Sequence, residues 1–356
     1  KRQEDIFVTQ HNLHHALHGD KVRVSLFARR KNRRPEGEVV EILERSRKTF
    51  VGIVEKTGNI AFLVPELRQM PYDIFIPPDR LNNAGNGQKD VARITEWPEK
   101  VKNPVGEIIR VLGNPGVHEV EMHAILAEFE LPDEFPEKVE KEAGKISAKI
   151  PGQEYMKRRD FRNVLTFTID PYDAKDFDDA VFLKKKNNGY VLYVHIADVS
   201  YFVKENTYLD REAYKRGFST YLPLDVIPML PERLSNDLCS LKEGEKRATL
   251  SIIMEINKNG EIVSYRITPG VIKNRKRFTY EEVEKILKGE KVFTNKKIVK
   301  MLYLMDEVRE TLKENLKNKG MIELELGDPV LIFDSNKRVI NIKRKRVLRS
   351  HKIIAV

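Results

Sequence analysis

One cysteine and one tryptophan are all that this 356-residue chain has of either type. A lone Cys239 excludes an internal disulfide and a cysteine-built zinc site, and it suits a reducing compartment. No run of 18 apolar residues occurs, and no signal-peptide pattern opens the chain. The expectation is a cytoplasmic protein without membrane contact. Acidic residues are missing from two segments that are dense in bases. Residues 21–35 carry seven Lys or Arg and residues 335–356 carry eight, neither with an acid. KNRKR at 273–277 adds a third basic cluster to a chain of formal net charge +10. A single stripe is satisfied by solvent, but three together point toward a polyphosphate partner, because each phosphate contact releases a condensed counterion.

The first 113 residues repeat themselves. DIFVTQHNLHHALHGDKVRV begins at Asp5 and DIFIPPDRLNNAGNGQKDVARI begins at Asp73. Phe7, Leu13, Ala16, Gly19 and Lys21 return as Phe75, Leu81, Ala84, Gly87 and Lys89 at an offset of 68, and GEVVEIL (37–43) returns as GEIIRVL (106–112) at an offset of 69. Alternating β-branched runs broken by Gly and Asn predict strands in both copies. Short-strand units of this size suggest small basic OB-type barrels, a common nucleic-acid-binding form. FVGIVEKTGNIAFLVP (50–65) precedes the shared motif in the second copy only, so the chain reads as beginning inside a barrel.

A connector follows, with Pro132 and Pro136 opening a short charged helix. From about residue 158 the pattern becomes α+β. RNVLTFTID and YVLYVHIADVSYFV read as strands and LDREAYKRG as a helix. A hairpin is predicted to turn at Asn259–Gly260. A long helix is predicted through Ile298, Leu302, Met305, Val308, Leu312 and Leu316, stopping at Gly320.

Within that region TIDPYDAKDFDDAVF (168–182) crowds Asp170, Asp173, Asp176, Asp178 and Asp179 into ten positions. Ionised carboxylates this close repel one another unless cations neutralise them. Hard oxygen donors recruit Mg²⁺ or Mn²⁺. The apolar flanks place the acids at strand ends or in a tight loop against a hydrophobic body. An EF-hand loop would need an acid at its twelfth position, where Val181 stands. A divalent-ion nest beside basic barrels points to phosphodiester chemistry. A solvated acidic loop capping a helix is the other reading of the same residues.

RRDFRNVLTFTIDPYDAKDFDDAVF resembles the signature of the ribonuclease II/ribonuclease R family catalytic (RNB) domain. So does VHIADVSYFVKENTYLDREAYKRGFSTYLPLDVIPMLPERLSNDLCSLKEGEKRATLS, and the tandem cold-shock-type barrels agree. The DAKDFDDA wording and the two barrels put the ribonuclease R branch nearest. The resemblance implies 1–46 as part of a first cold-shock/OB barrel and 47–120 as a second. It further implies 121–157 as a connector and 158–356 as the N-terminal part of an RNB domain. It implies a processive hydrolytic 3′→5′ exoribonuclease, a monomer, that uses Mg²⁺ (or Mn²⁺) and releases nucleoside 5′-monophosphates from single-stranded RNA 3′ ends. By position the metal-binding aspartates become Asp170, Asp176, Asp178 and Asp179. Asp170 and Asp179 are expected to ligate, Asp176 to assist, and Asp178 to organise the second metal or the attacking water. Tyr221 matches the aromatic that stacks on the 3′-terminal base.

Other residues read as structural: His195 as a core residue, Asp198 as a backbone partner, Cys239 as packing, and Trp97 as a barrel plug. Phe7, Phe62 and Phe75 read as core. Leu324 stands where the family often has a second stacking aromatic. The family's arginine-bearing segment and a further barrel do not occur before Val356. The expectation is therefore a chain incomplete at both ends, which by itself binds RNA poorly and cuts it little or not at all. A catalytically dead RNA-binding relative and a binding protein built from the barrels alone are the competing classes.

Overall fold

The structure, a computed structural model, describes residues 4–28, 34–290, 293–323 and 329–355. It divides into two compact units, Lys1–Asp133 and Glu134–Val356.

In the first unit β1 (Phe7–Val8), β2 (Lys21–Leu26) and β3 (Glu36–Glu44) form a sheet of order β1-β3-β2. Then β4 (Thr49–Thr57), β5 (Ile60–Pro65), β6 (Ile74–Ile76), β7 (Lys89–Glu96) and β8 (Val105–Gly113) close a barrel of order β4-β5-β6-β8-β7. Sequence repetition becomes backbone repetition. β1 joins β3 in parallel through Phe7 and Glu36, and β6 joins β8 in parallel through Phe75 and Val105. The left-handed pair His14–His15 (φ 44° and 65°) returns as Asn82–Asn83 (47° and 62°). Gly19 (φ 87°) returns as Gly87 (77°), a conformation that favours glycine for want of a Cβ. What repeats is therefore the turn chemistry as well as the apolar pattern.

Alternation along β6 sends Ile74 and Ile76 into the barrel core with Phe50, Val54 and Leu63. Phe75 consequently faces outward and meets Phe62 at 5.6 Å, while Phe7 is 57% exposed. These phenylalanines are thus not the core residues the sequence suggested, because each occupies the outward phase of its strand. Trp97 is half-buried: His15 stacks on it at 4.6 Å, Tyr72 meets it edge-on and the Arg45 guanidinium lies 5.4 Å from its ring. A helix that the sequence did not announce, α1 (His118–Glu128), lays Ala124 on Val51 and Val91. Lys89 pins it, pairing with Glu121 at 2.7 Å and with Glu66 at 2.8 Å.

The second unit opens with α2 (Glu137–Lys145), α3 (Gly152–Lys157), β9 (Arg159–Asp160), β10 (Phe167–Asp170), β11 (Asp179–Lys186) and β12 (Gly189–Ala197). It continues with α4 (Val199–Phe202), α5 (Tyr208–Arg216), β13 (Thr220–Tyr221) and β14 (Val226–Ile227). After these come β15 (Lys246–Asn257), β16 (Ile262–Lys273), β17 (Lys276–Thr279), α6 (Tyr280–Leu287) and α7 (Lys296–Asn318). β18 (Pro329–Phe333), β19 (Val339–Arg344) and α8 (Arg349–Ala355) complete it. A seven-stranded sheet runs β17-β10-β11-β12-β15-β16-β9. Phe167, Ile169, Val181 and Leu183 pack on Leu302 and Met305 of α7 in one core. A second core gathers Phe161, Ala180 and Ile272 with Leu209, Leu234 and Leu241. YVLYVHIADVSYFV is not one strand: β12 ends at Ala197, and the Asp198 carboxylate caps the short α4 that follows. The basic 335–356 stretch contributes β19, which pairs with β18, and then α8.

His195 is fully buried on β12, 5.0 Å from the Phe161 ring centre, with Nδ1 2.8 Å from the Ser251 hydroxyl. Burial pushes its imidazolium down from 6.5 to about 4. The unfolded chain therefore takes up a proton that the folded one refuses, and stability falls as the pH drops through that window. The loss amounts to about 3 kcal/mol. Urea unfolding of the chain and of His195→Gln near pH 7 and pH 4.5 should show this acid slope flattened in the variant; an unchanged slope refutes it.

Candidate metal centre

Antiparallel pairing of β10 with β11, and parallel pairing of β10 with β17, bring two aspartates to one end of the sheet. Asp170 closes β10, Asp179 opens β11, and residues 171–178 loop between them. Asp170 is buried and its Oδ2 has no hydrogen-bond partner among the described residues. Burial pushes its carboxyl up to about 6; Asp179 and Asp178 add to the rise, while the Thr168 hydroxyl and the Arg277 guanidinium oppose it. Burial also raises Asp179, against its own backbone N–H. Asp178 is raised by partial burial, then by Asp176 and Asp179. Among the described residues no Lys or Arg forms an ion pair with any of these four aspartates.

Tyr221 stands on β13 as a residue 66% exposed, and its hydroxyl donates to Asp176 Oδ2 at 2.9 Å. Burial and the neighbouring Asp176 and Asp178 push that phenol up to about 12, so it remains a donor at neutral pH. Asp173 is exposed on the loop. The structure thus makes one electrostatic unit of Asp170, Asp178 and Asp179 and links Asp176 to Tyr221. Among the described residues, no three acid, histidine or cysteine side chains are already gathered to ion-holding distance. Donor type and burial nonetheless fit a hard divalent cation: all the acids are carboxylates, one oxygen is buried without a partner, and their charge is unpaired.

The remaining candidates lie elsewhere. His195 binds Ser251 inside the sheet, and Asp198 pairs with Arg158 at 2.7 Å and accepts from Ser200. Burial raises the Cys239 thiol to about 12, which makes it inert packing. Leu324, and Arg29–Arg33 of the first basic stripe, lie outside the described residues. The KNRKR cluster is spent within the fold. Arg275 donates to Arg162 O, Lys276 pairs with Glu243 at 3.0 Å, and Arg277 donates to Pro171 O and Tyr172 O. Sequence shows these three as charge and does not show the carbonyls and the carboxylate that they also meet. Ser240 and Arg277, which touch the aspartate loop, carried no signal in the sequence beyond their residue types.

A family model described as RNB domain matches residues 158–356, more than half of the chain. Models described as Cold shock domain and Ribonuclease B OB domain match residues 62–136 and 1–42. The chain belongs to the RNB-domain family.

Among its relatives, Ribonuclease R of Thermotoga maritima is 40% identical over 349 residues, covering 96% of this chain and 49% of that protein. Ribonuclease R of Escherichia coli is 34% identical, covering 99% of this chain and 44% of that protein. The chain thus spans about half the length of the curated relatives it matches. The solved structure of Mycoplasma genitalium RNase R in complex with ribose-methylated single-stranded RNA matches with a TM-score of 0.92 at 27% identity. That match covers 98% of this chain and 55% of that one. Yeast Ssd1, described as a pseudonuclease, shares the fold at a TM-score of 0.73 and 18% identity.

Proposed function

We propose that this chain carries the carboxylate constellation of a processive, hydrolytic 3′→5′ exoribonuclease that releases nucleoside 5′-monophosphates. The observation that supports it most is the buried, unpartnered Asp170 oxygen within a set of mutually raised, unpaired aspartates. Mg²⁺ or Mn²⁺ bound there would supply charge neutralisation at the phosphate and a nucleophilic water at neutral pH. Asp170 and Asp179, fixed at strand ends, hold the ions, and Asp176 assists. Asp178, nearest the solvent, orients the attacking water. Tyr221 offers an exposed ring to the terminal base. Its hydrogen bond to Asp176 supports a reading in which the terminal base and the reacting phosphate lie side by side.

The test is incubation of the gene's full-length product with 3′-tailed RNA and Mg²⁺. Stepwise release of 5′-monophosphates supports the reading, as does resistance of a 3′-blocked RNA. Tight binding with no release in Mg²⁺ or Mn²⁺ identifies an RNA-binding relative instead. Stacking is worth about 1–3 kcal/mol per base, so Tyr221→Ala should weaken RNA binding by roughly five- to 150-fold for every sequence tested. Fluorescence anisotropy with poly(A) and poly(U) oligonucleotides measures it, and a loss confined to one sequence contradicts stacking.

A further inference from the structure

We infer that Ser240 and Arg277 are positioning residues that set the shape of the aspartate loop, an inference resting on the metal-site reading above. Residues 171–178 contain neither helix nor strand. Among the described residues their one internal backbone hydrogen bond runs from Ala174 N to Pro171 O at 3.2 Å. The rest of the loop is held from outside. At its start, Arg277 Nη2 on β17 donates to Pro171 O and, at 2.9 Å, to Tyr172 O. At its end, the fully buried Ser240 hydroxyl donates to Lys175 O at 2.7 Å and accepts from Phe177 N at 3.1 Å. Leu241 N then donates to Phe177 O at 2.8 Å.

Asp176 therefore sits between two residues fixed by one serine, and Asp178 follows directly. Both posts converge on Phe177, whose ring lies 5.4 Å from the Arg277 guanidinium. An unclamped loop of like charges relieves its repulsion by splaying, which separates the donors that an ion needs together. A serine using both its donor and an acceptor site, and an arginine bridging two carbonyls, oppose that splaying. Outer contacts of this kind tune metal affinity by about 10–100-fold in other proteins.

Arg277 offers two contributions, its charge near Asp170 and the placement of Nη2 between two carbonyls. Lysine keeps the charge but lacks the planar guanidinium that lies against the Phe177 ring and aims Nη2 at both carbonyls. Titration of the purified chain with Mn²⁺, followed by electron paramagnetic resonance, reads affinity without reference to activity. Thermal unfolding reports the fold separately. Ser240→Ala and Arg277→Gln should each weaken Mn²⁺ binding about tenfold or more in folded protein, with Arg277→Lys equally weak. Affinities within about twofold of the unaltered chain overturn the inference, as does full recovery in Arg277→Lys, which reduces that residue to its charge. If Ser240→Ala fails to fold, the two variants at the half-buried Arg277 decide alone. An unaltered chain that binds no Mn²⁺ overturns the metal-site reading and the inference with it. Binding that survives in every variant overturns the inference only.

Discussion

Asp178→Asn should abolish monophosphate release from 3′-tailed RNA, by on the order of 10³-fold in kcat, while RNA affinity stays near that of the parent. The substitution keeps the shape of the side chain and removes one charge. Asp178 lies on the outer side of the loop, beside Asp176 and Asp179, and Tyr221 contacts Asp176 rather than Asp178. Base stacking and backbone electrostatics are accordingly left in place. Single-turnover quench-flow with labelled RNA reads the chemical step directly. A variant retaining a tenth or more of the parent rate would remove Asp178 from the reaction.

Asp170→Asn should make the metal-free protein more stable, by on the order of 2–3 kcal/mol at pH 7.5. The fold raises this carboxyl from 3.8 to about 6, so the folded chain favours the neutral form. The linked stability is complete below the unfolded value and is lost as the pH climbs through about 6. An amide carries no charge to desolvate and escapes that penalty at every pH. Divalent metal should relieve the same penalty in the parent, so the rise in Tm produced by millimolar Mg²⁺ should vanish in Asp170→Asn. Scanning calorimetry with EDTA and with Mg²⁺ gives both quantities. A variant less stable than the parent in EDTA, or one that keeps the full Mg²⁺ response, contradicts the assignment. A site that costs stability when empty is what selection for function at this position would leave behind.

Much of this architecture was legible in the residues, for identifiable reasons. The repeat was visible because the positions that recur are those where backbone geometry is demanding: Gly19 and Gly87, and the Phe-bearing strands joined in parallel. α7 was visible because Ile298, Leu302 and Met305 share one face. α1 was not, since Val120, Ala124 and Leu126 are diluted by His and Glu, and the helix relies on Lys89 of the barrel to hold Glu121. The aspartate knot announced itself as charge. Its supports did not, because Ser240 and Arg277 reach the loop across 65 and 106 residues of sequence. A basic pentapeptide offers no clue that its arginines will also meet backbone carbonyls.

Those long spans have a temporal consequence. As the chain leaves the ribosome, the acids at 170–179 emerge well before the strand bearing Arg277. Until β17 docks alongside β10, nothing on that side can draw the loop into shape. Ordering of the aspartate loop is therefore a late event in folding, and a nascent polypeptide halted before residue 277 would lack the Arg277 contacts that hold its start.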